Sequence, residues 1–430
     1  MSTLVSPAAR ASRSATADAG VLRVGLFGYG LIGSAVAALA RARPDALGRP
    51  VAIATALVRR TANRPAAATV PLTDDPETVF RAEPDVIIEV LGGVEPARTL
   101  VLRAIERGIP VVTANKALLA HHGDELLDAA ASAGVRLCYE ASVIAGVPFL
   151  STLARRPLAS SVTAFTGIVN GTTNYILSQI ATAGASYDVA LADAQRRGFA
   201  EPDPSKDVDG LDALEKLVVL VRQLASCSVS PSAIETNGIT RVTAADLAHA
   251  AGLGGTIKPI VHAEWSGAGI RAYAGPAFVP RDHPLARVAG SANGIHLRDA
   301  AGSDLFFSGP GAGPGPTSVT ILDDVLDAVS WAPPAAPVRL KGHVEPPQTA
   351  WLIRLTSQWP LPPGEDLADL FGASGVWMAR TSSRDSRDGG ESVWLLTYPA
   401  ARDRMEAAVR DVSAAARCDA ALLRAAGACS

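Results

Sequence analysis

The sequence predicts an α/β protein made of three consecutive parts. Short apolar runs alternate with helix-forming stretches from Val21 to Tyr139, which is the pattern of a doubly wound parallel sheet. From about Val147 apolar segments and helices follow one another less regularly, which indicates an α+β part. Beyond Pro337 the order strand, helix, strand, strand, helix, strand indicates a small βαββαβ module.

In the first part, apolar runs of strand length end at glycine, proline or charged residues. The predicted strands are Val21–Phe27, Val51–Val58, Asp85–Val90, Pro110–Thr113 and Val135–Tyr139. The predicted helices are Ser34–Arg43, stopped by Pro44, then Pro96–Arg107 and Leu118–Ala133. We expect this domain to span residues 21–150, after a disordered tail at 1–20.

The later parts are predicted in the same way. In the second domain, 151–309, we expect a strand at Val162–Val169 and helices at Thr172–Ala183, Asp209–Ala225 and Ala244–Gly252. A turn-rich loop at Gly309–Pro316 precedes a helix at Ser318–Val329, and 310–330 is a candidate to return to the first domain. After a linker at 331–345, the module at 346–430 has predicted strands Ala350–Thr356, Val376–Thr381, Ser392–Tyr398 and Ala420–Arg424, with helices Asp366–Phe371 and Ala401–Ala416.

Composition excludes several classes of protein. The 430 residues carry a formal net charge of −3, so the overall charge gives no electrostatic reason to expect binding to nucleic acid or an anionic membrane. It has no apolar run of about 18 residues, and its Ala/Ser/Thr-rich start lacks the apolar core of a secretory signal. The four cysteines (Cys138, Cys227, Cys418, Cys429) have neither metal-ligand nor redox spacing, and so few cysteines in so long a chain is typical of a reducing compartment. We expect a cytoplasmic protein without nucleic-acid or membrane partners.

A glycine turn predicts a dinucleotide site of the Rossmann type. The segment Gly28-Tyr29-Gly30-Leu31-Ile32-Gly33 lies between a predicted strand and a helix, where it allows a tight turn and brings a pyrophosphate to the helix N-terminus. A glycine-rich turn of any α/β domain is the alternative. The second strand is followed by Arg59-Arg60 rather than by an acid, which favours NADP over NAD; two solvated arginines are the alternative.

A second cluster of polar residues predicts the reaction site. Asp212 and Lys216 are four residues apart on a predicted helix and therefore share a face, although an ordinary ion pair has the same spacing. Glu201, Asp203 and Asp207 lie between prolines just before this helix and form a candidate ammonium-binding loop.

Two further polar segments are candidates. Lys116 follows the fourth strand, at the edge where open α/β sheets bind ligands. The segment Asn170–Asn174 precedes a helix, where free N–H groups can take a carboxylate. Its alternatives are a plain helix cap, an Asn-Gly hairpin and a glycosylation sequon.

Together these motifs resemble those of the homoserine dehydrogenases. Besides the glycine turn, the matching segments are Leu91–Pro96, Val112–Ala117, Asn170–Leu177, Gly198–Pro204, Asp207–Lys216, Ile257–Lys258 and Gly309–Gly313. They occur in the family's order over residues 21–330. The resemblance implies NAD(P)H-dependent interconversion of L-aspartate 4-semialdehyde and L-homoserine, which serves threonine, methionine and isoleucine biosynthesis. It makes 21–150 the dinucleotide-binding domain and 151–309 the substrate-binding and dimerisation domain.

The resemblance also implies roles at the reacting centre. Lys216 would donate a proton to the carbonyl oxygen, and Asp212 would orient Lys216 or a water. Lys116 would lie beside nicotinamide and substrate as a second candidate acid. Gly92, after the third predicted strand, would join the cofactor contacts.

Substrate and cation contacts are implied in the same way. Glu201 and Asp207 would hold the substrate ammonium, and Gly171 and Thr172 would line its binding region. The segment Glu140–Pro148 is similar to the family's monovalent-cation loop. Its ligands, which would hold a structural sodium ion, would be the Glu140 side chain and the carbonyls of Val143, Ala145 and Val147. A turn between two domains is the alternative.

The last 80 or so residues resemble an ACT domain, a regulatory module that senses amino acids. The segment Gln358–Gly364 keeps the Pro-Gly of the module's first loop but lacks its aspartate, and Ser382–Gly390 is an insertion. A threonine-like effector and a ligand-free dimerisation module therefore both stay open. The resemblance implies a homodimer or tetramer.

Two other functions stay open from the sequence. One is a dehydrogenase of the same fold that acts on a modified semialdehyde in secondary metabolism. The other is a cofactor-binding regulator that senses amino acids and catalyses nothing.

Overall fold

The computed structural model describes residues 20–43, 48, 50–60, 69–154, 162–267, 269–330, 340–345, 348–359, 361–362, 367, 371, 376–381 and 391–425. The chain forms two compact units. The first unit holds residues 1–160, 218–231 and 309–341, and the second holds residues 161–217, 232–308 and 342–430. All of the expected tail except Gly20, and the insertion Ser382–Gly390, lie outside the described residues.

The first unit is built on a six-stranded parallel sheet in the order β3-β2-β1-β4-β5-β6. Its strands are β1 (Leu22–Phe27), β2 (Val51–Leu57), β3 (Leu72–Thr73), β4 (Val86–Glu89), β5 (Val111–Thr113) and β6 (Leu137–Cys138). Its first helices are α1 (Leu31–Ala42), α2 (Pro76–Arg81), α3 (Ala97–Glu106), α4 (Lys116–Ala133) and α5 (Leu150–Ala154). This strand order is that of a doubly wound dinucleotide-binding sheet, which confirms the predicted fold class.

Three later segments complete the first unit. They are the second half of α9 (Leu211–Ala225), the strand pair β8 (Cys227–Ser228) with β14 (Leu340–Lys341), and α11 (Pro314–Ser330). Helix α11 buries Ile321, Leu322 and Val325 in the same apolar core as β1, β4 and α1.

The second unit is built on a mixed sheet in the order β13-β12-β7-β10-β11-β19-β16-β18-β17, in which β9 and β15 also pair with β11. Its strands are β7 (Val162–Ile168), β9 (Glu235–Thr236), β10 (Gly255–Ser266), β11 (Gly269–Pro280), β12 (Ala292–Asp299), β13 (Asp304–Pro310), β15 (Val344–Glu345), β16 (Ala350–Ser357), β17 (Val376–Thr381), β18 (Glu391–Thr397) and β19 (Asp419–Ala425). Its helices are α6 (Gly171–Ala183), α7 (Tyr187–Arg196), α8 (Ser205–Val208), the first part of α9, α10 (Ala244–Gly252) and α12 (Arg402–Ala416).

The strands of the C-terminal part are antiparallel to their neighbours in the order β19-β16-β18-β17. One apolar core joins this part to the rest of the second unit, because Leu352 and Trp394 pack in the same cluster as Ile176 of α6 and Leu247 of α10. Of the predicted helix Asp366–Phe371, only Leu367 and Phe371 are described.

The structure corrects several sequence-based bounds. The loop predicted at Gly309–Pro316 is shorter than expected and covers only 311–313, because β13 runs to Pro310 and α11 begins at Pro314. Prolines are accepted in the first helical turn, where an N–H would lack a partner anyway. The expected linker at 331–345 contains β14 and β15, while residues 331–339 lie outside the described residues. Helix α4 begins at Lys116 rather than at the predicted Leu118, because the Asn115 side chain accepts from the Leu118 N–H at 3.1 Å.

The short elements β3 and α2 are among those that were not predicted from the sequence. The helix predicted at Asp209–Ala225 begins at Leu211 as α9, and the separate short helix α8 precedes it. Cys138, Cys227 and Cys418 are buried free thiols, and Cys429 lies outside the described residues. None of the described helices is long and apolar enough to cross a membrane.

Candidate active site

The turn between β1 and α1 lets a ligand come close to the backbone. Gly28 has a φ of +105°, which residues with a Cβ rarely adopt, and a Cβ there would lie 2.7 Å from the Val90 carbonyl oxygen. A Cβ at Gly33 would lie 2.1 Å from the Gly28 carbonyl oxygen, whereas one at Gly30 would have no protein atom within 4 Å. Gly28 and Gly33 thus permit the turn and its packing, and Gly30 leaves open space before the helix.

A cavity of about 600 Å³ opens beside this turn. It is lined by the glycine turn, by the last residue of β2 and the three residues after it (57–60), and by Val90 and Leu91 after β4. Gly30 caps α1 without a side-chain hydrogen bond, and no acid lies in the first turn of α1, so the helix N-terminus can take an anion. Arg59 and Arg60 are exposed at the cavity wall.

The other predicted cofactor residues lie around the same turn. Leu31 is 72% exposed and begins α1, while Ile32 is half-buried against the core of the first unit. The Tyr29 hydroxyl lies 3.4 Å from the Thr69 hydroxyl. Gly92 follows β4 with a φ of +74°.

A buried polar network at the ends of β4 and β5 was not predicted. Glu89 is fully buried and accepts hydrogen bonds from the Leu91 N–H at 2.7 Å and the Thr113 hydroxyl at 2.5 Å. Asn115 donates to Glu89 at 3.3 Å and to the Gly93 carbonyl at 2.6 Å. Burial raises the pKa of Glu89, and these hydrogen bonds oppose that rise. The sequence does contain a signal for this network, because Glu89 is an acid at the end of an otherwise apolar strand.

This network fixes the start of α4. Asn115 is the N-cap of the helix, and Lys116 is its first residue and is half-buried. Lys116 therefore lies one residue from the side chain that holds the Gly92-Gly93 loop.

In the second unit, Lys216 and Asp212 form the ion pair that their spacing predicts. Lys216 Nζ lies 2.9 Å from Asp212 Oδ2, and the two side chains are only 10% and 9% exposed. Lys216 Nζ also donates to the Val169 carbonyl at 2.7 Å. Each buried charge therefore has a partner, and the high cost of burying an unpaired charge is avoided.

Asn170 joins the acids of this site, a role that the sequence did not reveal. Its Oδ1 accepts from the Thr173 N–H at 2.8 Å, which makes it the N-cap of α6 rather than part of a hairpin. Its Nδ2 donates to Asp207 Oδ1 at 2.7 Å and to Asp212 Oδ2 at 2.8 Å. One amide therefore holds Asp207 and the Asp212–Lys216 pair together.

The start of α6 lies next to this amide. A Cβ at Gly171 would lie 2.7 Å from the Ser291 carbonyl oxygen, so the turn is closely packed there. The Thr172 hydroxyl donates to the Phe199 carbonyl at 2.5 Å. Among the described residues, no acceptor binds the N–H of Gly171 or of Thr172, and the first turn of α6 contains no acid.

Glu201 is less constrained than the other predicted residues. Its side chain is exposed, while its backbone carbonyl accepts from Gln195 Nε2 at 3.1 Å. A pair that was not predicted lies nearby: Lys206 Nζ donates to Glu215 Oε1 at 3.0 Å, which connects α8 to α9.

Lys258, for which the family resemblance implies no role, is also buried. Its Nζ donates to the Val288 carbonyl at 2.7 Å, which also accepts from Asn174 Nδ2 at 3.2 Å. Burial lowers the pKa of Lys258 to about 8. Lys258 and Asn174 thus hold the Val288 segment against α6.

The suggested cation loop lies wholly in the first unit. The buried Glu140 carboxylate accepts N–H groups from Phe149 and Leu150 at 2.9 Å and from Ser151 at 2.6 Å. The Ala145 carbonyl accepts a short hydrogen bond from the Thr320 hydroxyl of α11. Burial raises the pKa of Glu140, and these N–H groups oppose the rise. The described residues contain no cluster of three or more His, Cys, Asp or Glu side chains able to hold a metal ion.

Two family models match the chain. One, described as homoserine dehydrogenase, matches residues 148–326. The other, described as homoserine dehydrogenase, NAD binding domain, matches residues 28–140.

Individual relatives are similar over most of their length. The homoserine dehydrogenase of Mycobacterium tuberculosis H37Rv is 40% identical over 315 residues, which is 71% of each chain. That of Bacillus subtilis is 37% identical over 314 residues, covering 71% of this chain and 72% of the relative. The crystal structure of a homoserine dehydrogenase from Thiobacillus denitrificans superposes with a TM-score of 0.83 at 30% identity, covering 94% of this chain and 98% of that one.

Proposed function

The chain belongs to the homoserine dehydrogenases, and we propose a role in that reaction for each side chain of the two sites. The enzyme is an NAD(P)-dependent oxidoreductase acting on CH–OH, which interconverts L-homoserine and L-aspartate 4-semialdehyde in aspartate-family amino-acid biosynthesis. The modified-semialdehyde dehydrogenase and the non-catalytic regulator are not favoured, because these relatives are all homoserine dehydrogenases.

The hydrogen bonds of Lys216 carry the proposed mechanism. An ammonium has three N–H groups, and Lys216 directs two of them to Asp212 Oδ2 and the Val169 carbonyl. In the described part of the chain no acceptor takes the third, which is left for the aldehyde oxygen of the substrate. When bound, the reduced nicotinamide supplies the hydride to the carbonyl carbon. Lys216 donates the proton that the oxygen needs as its negative charge develops, and becomes a neutral amine.

Asp212 orients Lys216 in this mechanism. Its Oδ2 accepts from both Lys216 Nζ and Asn170 Nδ2. Asp212 therefore orients the Lys216 ammonium and also pairs with its charge. In homoserine oxidation the neutral amine of Lys216 accepts the hydroxyl proton. Lys116, at the start of α4 in the first unit, is the second candidate acid and a cofactor contact.

The amino-acid end of the substrate carries an ammonium and a carboxylate, and each needs a partner of the opposite charge. We assign its ammonium to Asp207 and Glu201, since a carboxylate held by Asn170 is already oriented. Its carboxylate is assigned to the N–H groups of Gly171 and Thr172 at the N-terminus of α6, where the helix dipole favours an anion.

The cofactor site supports a preference for NADP. The cavity beside the glycine turn has Arg59 and Arg60 in its wall, and no acid is among the lining residues that the structure describes. Arginine suits a 2′-phosphate, whereas NAD enzymes place an acid there for the ribose hydroxyls.

The remaining proposals concern assembly and regulation. The antiparallel order β19-β16-β18-β17 supports an ACT-like module, with either an amino-acid effector or a purely structural role. The family resemblance supports a homodimer or tetramer. The oxygen-rich Glu140–Val147 segment supports a structural sodium site, since hard cations are held by carbonyl and carboxylate oxygens.

Steady-state rates with L-aspartate 4-semialdehyde test this function. We expect turnover with NADPH and a higher kcat/KM for NADPH than for NADH. Arg59→Glu should lower kcat/KM for NADPH by about 10-fold or more, because a charged contact of roughly 1.5–3 kcal/mol is replaced by repulsion. Arg23→Glu, an exposed change elsewhere in the first unit, is the control and should leave the NADPH/NADH ratio unchanged. Equal use of both cofactors by the unmodified chain would refute the NADP proposal.

A further inference from the structure

One carboxylate oxygen in the first unit is buried without a partner. Asp324 lies in α11, is only 5% exposed, and has an Oδ2 that accepts no hydrogen bond from any described residue. The backbone N–H groups of Glu140 and Ala141 bind the same carboxylate. Burial, together with the nearby Glu140 charge, raises the pKa of Asp324 well above its usual range. A buried carboxylate oxygen without a partner is costly, which indicates an additional partner for Oδ2.

The partnerless oxygen lies on the face of α11 that covers the suggested cation loop. Thr320 is one helical turn before Asp324 and donates to the Ala145 carbonyl. Asp324 itself contacts the loop at Glu140 and Ala141. Residues four apart share a helix face, so Thr320 and Asp324 together hold that face against the 140–145 segment.

The hydrogen bonds of Glu140 make it a poor choice for the main cation ligand. Its Oε1 accepts two N–H groups and its Oε2 accepts a third, all from 149–151. The carboxylate is therefore engaged as a cap on the start of α5. In Asp324, by contrast, the carboxylate oxygen Oδ2 accepts no hydrogen bond from any described residue.

The surrounding charge also favours a cation. The neighbouring charges with the largest effect on Asp324 are those of Glu140 and Asp327, and both are negative. A monovalent cation would relieve this repulsion and supply the missing partner. Backbone carbonyls of the loop can provide the remaining ligands.

We propose that Asp324 is a ligand of a monovalent cation held by the Glu140–Val147 loop, and that its Oδ2 is the free carboxylate oxygen of that site. This inference rests on the proposed sodium site, but not on the dehydrogenase activity. It differs from the set suggested by the sequence, in which Glu140 is the carboxylate ligand.

Thermal unfolding in NaCl and in choline chloride of equal ionic strength tests the proposal. For the unmodified protein we expect the Tm to rise with sodium, to saturate, and to rise less with choline. Asp324→Asn should raise the sodium concentration needed for half of this effect by at least tenfold. Asp323→Asn is the matched control, because Asp323 is the adjacent but exposed residue of α11, and it should behave like the unmodified protein.

The outcomes separate the two proposals. An unmodified protein whose Tm rises equally in both salts would refute the cation site itself. A sodium effect that Asp324→Asn leaves unchanged would refute the role of Asp324 and indicate a neutral buried acid. If Asp324→Asn fails to fold, crystals of the unmodified protein soaked in a thallium(I) salt decide the question. Anomalous density at coordination distance from Asp324 Oδ2 would support the proposal, and its absence there would overturn it.

Discussion

Replacing Gly33 by alanine should weaken cofactor binding because the new methyl group collides with the glycine turn. The added Cβ would lie 2.1 Å from the Gly28 carbonyl oxygen, and real Cβ contacts essentially never fall below 3.0 Å. The turn must therefore move by about 1 Å, and forced overpacking of this kind costs roughly 1–3 kcal/mol. Because each 1.4 kcal/mol is a factor of about ten in affinity, we expect the NADPH Kd to rise by about 5- to 150-fold.

The measurement is NADPH titration by intrinsic fluorescence or calorimetry, together with the Tm. Gly30→Ala is the informative comparison: with no protein atom within 4 Å, it should keep its Tm but lose affinity, because its methyl group enters the space proposed for the pyrophosphate. Gly315→Ala, also without neighbours within 4 Å, is the control and should change neither quantity. NADPH binding by Gly33→Ala with unchanged affinity would show that the reasoning is wrong.

Two further predictions concern the second unit. Asp207→Asn should raise the KM for L-aspartate 4-semialdehyde by at least about tenfold, because it removes a charge-assisted contact of roughly 1.5–3 kcal/mol. The control is Asp203→Asn, a change at an exposed residue of the same loop, which should leave the KM unchanged. Equal KM values for the two variants would refute the ammonium assignment. For Lys258, burial lowers the pKa from 10.5 to about 8, so between these values the unfolded chain binds more protons and stability rises with pH. Relative to Lys258→Met, urea unfolding should therefore show the unmodified protein gaining up to about 3 kcal/mol from pH 8 to 10.5, and a constant difference would contradict this.

Local spacing predicted the parts of the site that depend on neighbours in sequence. The glycine turn, the Asp212–Lys216 pair and the cap at Asn170 all follow from residues a few positions apart. The doubly wound sheet was also predictable, since alternating strands and helices leave few other arrangements. The start of α11 was predicted as a loop because it is rich in glycine and proline. Its two prolines lie in the first helical turn, where proline is tolerated.

Contacts between distant segments could not be predicted. Lys216 reaches the Val169 carbonyl across 47 residues, and Asn170 reaches Asp212 across 42. No spacing rule shows that the N–H groups of 149–151 take the Glu140 carboxylate, or that α11 places Asp324 against that loop. Two-residue strands such as β3 carry too little periodicity to be recognised.

The most direct test of the mechanism is the kcat for NADPH-dependent reduction of L-aspartate 4-semialdehyde by Lys216→Met. Loss of the proton donor should lower kcat by about 10²- to 10⁴-fold while the NADPH Kd stays unchanged. Lys206→Met is the matched control, because Lys206 is also paired with a carboxylate but is 60% exposed; its kcat should stay close to that of the unmodified protein. A folded Lys216→Met protein that keeps a comparable kcat would contradict the assignment of Lys216 as the acid.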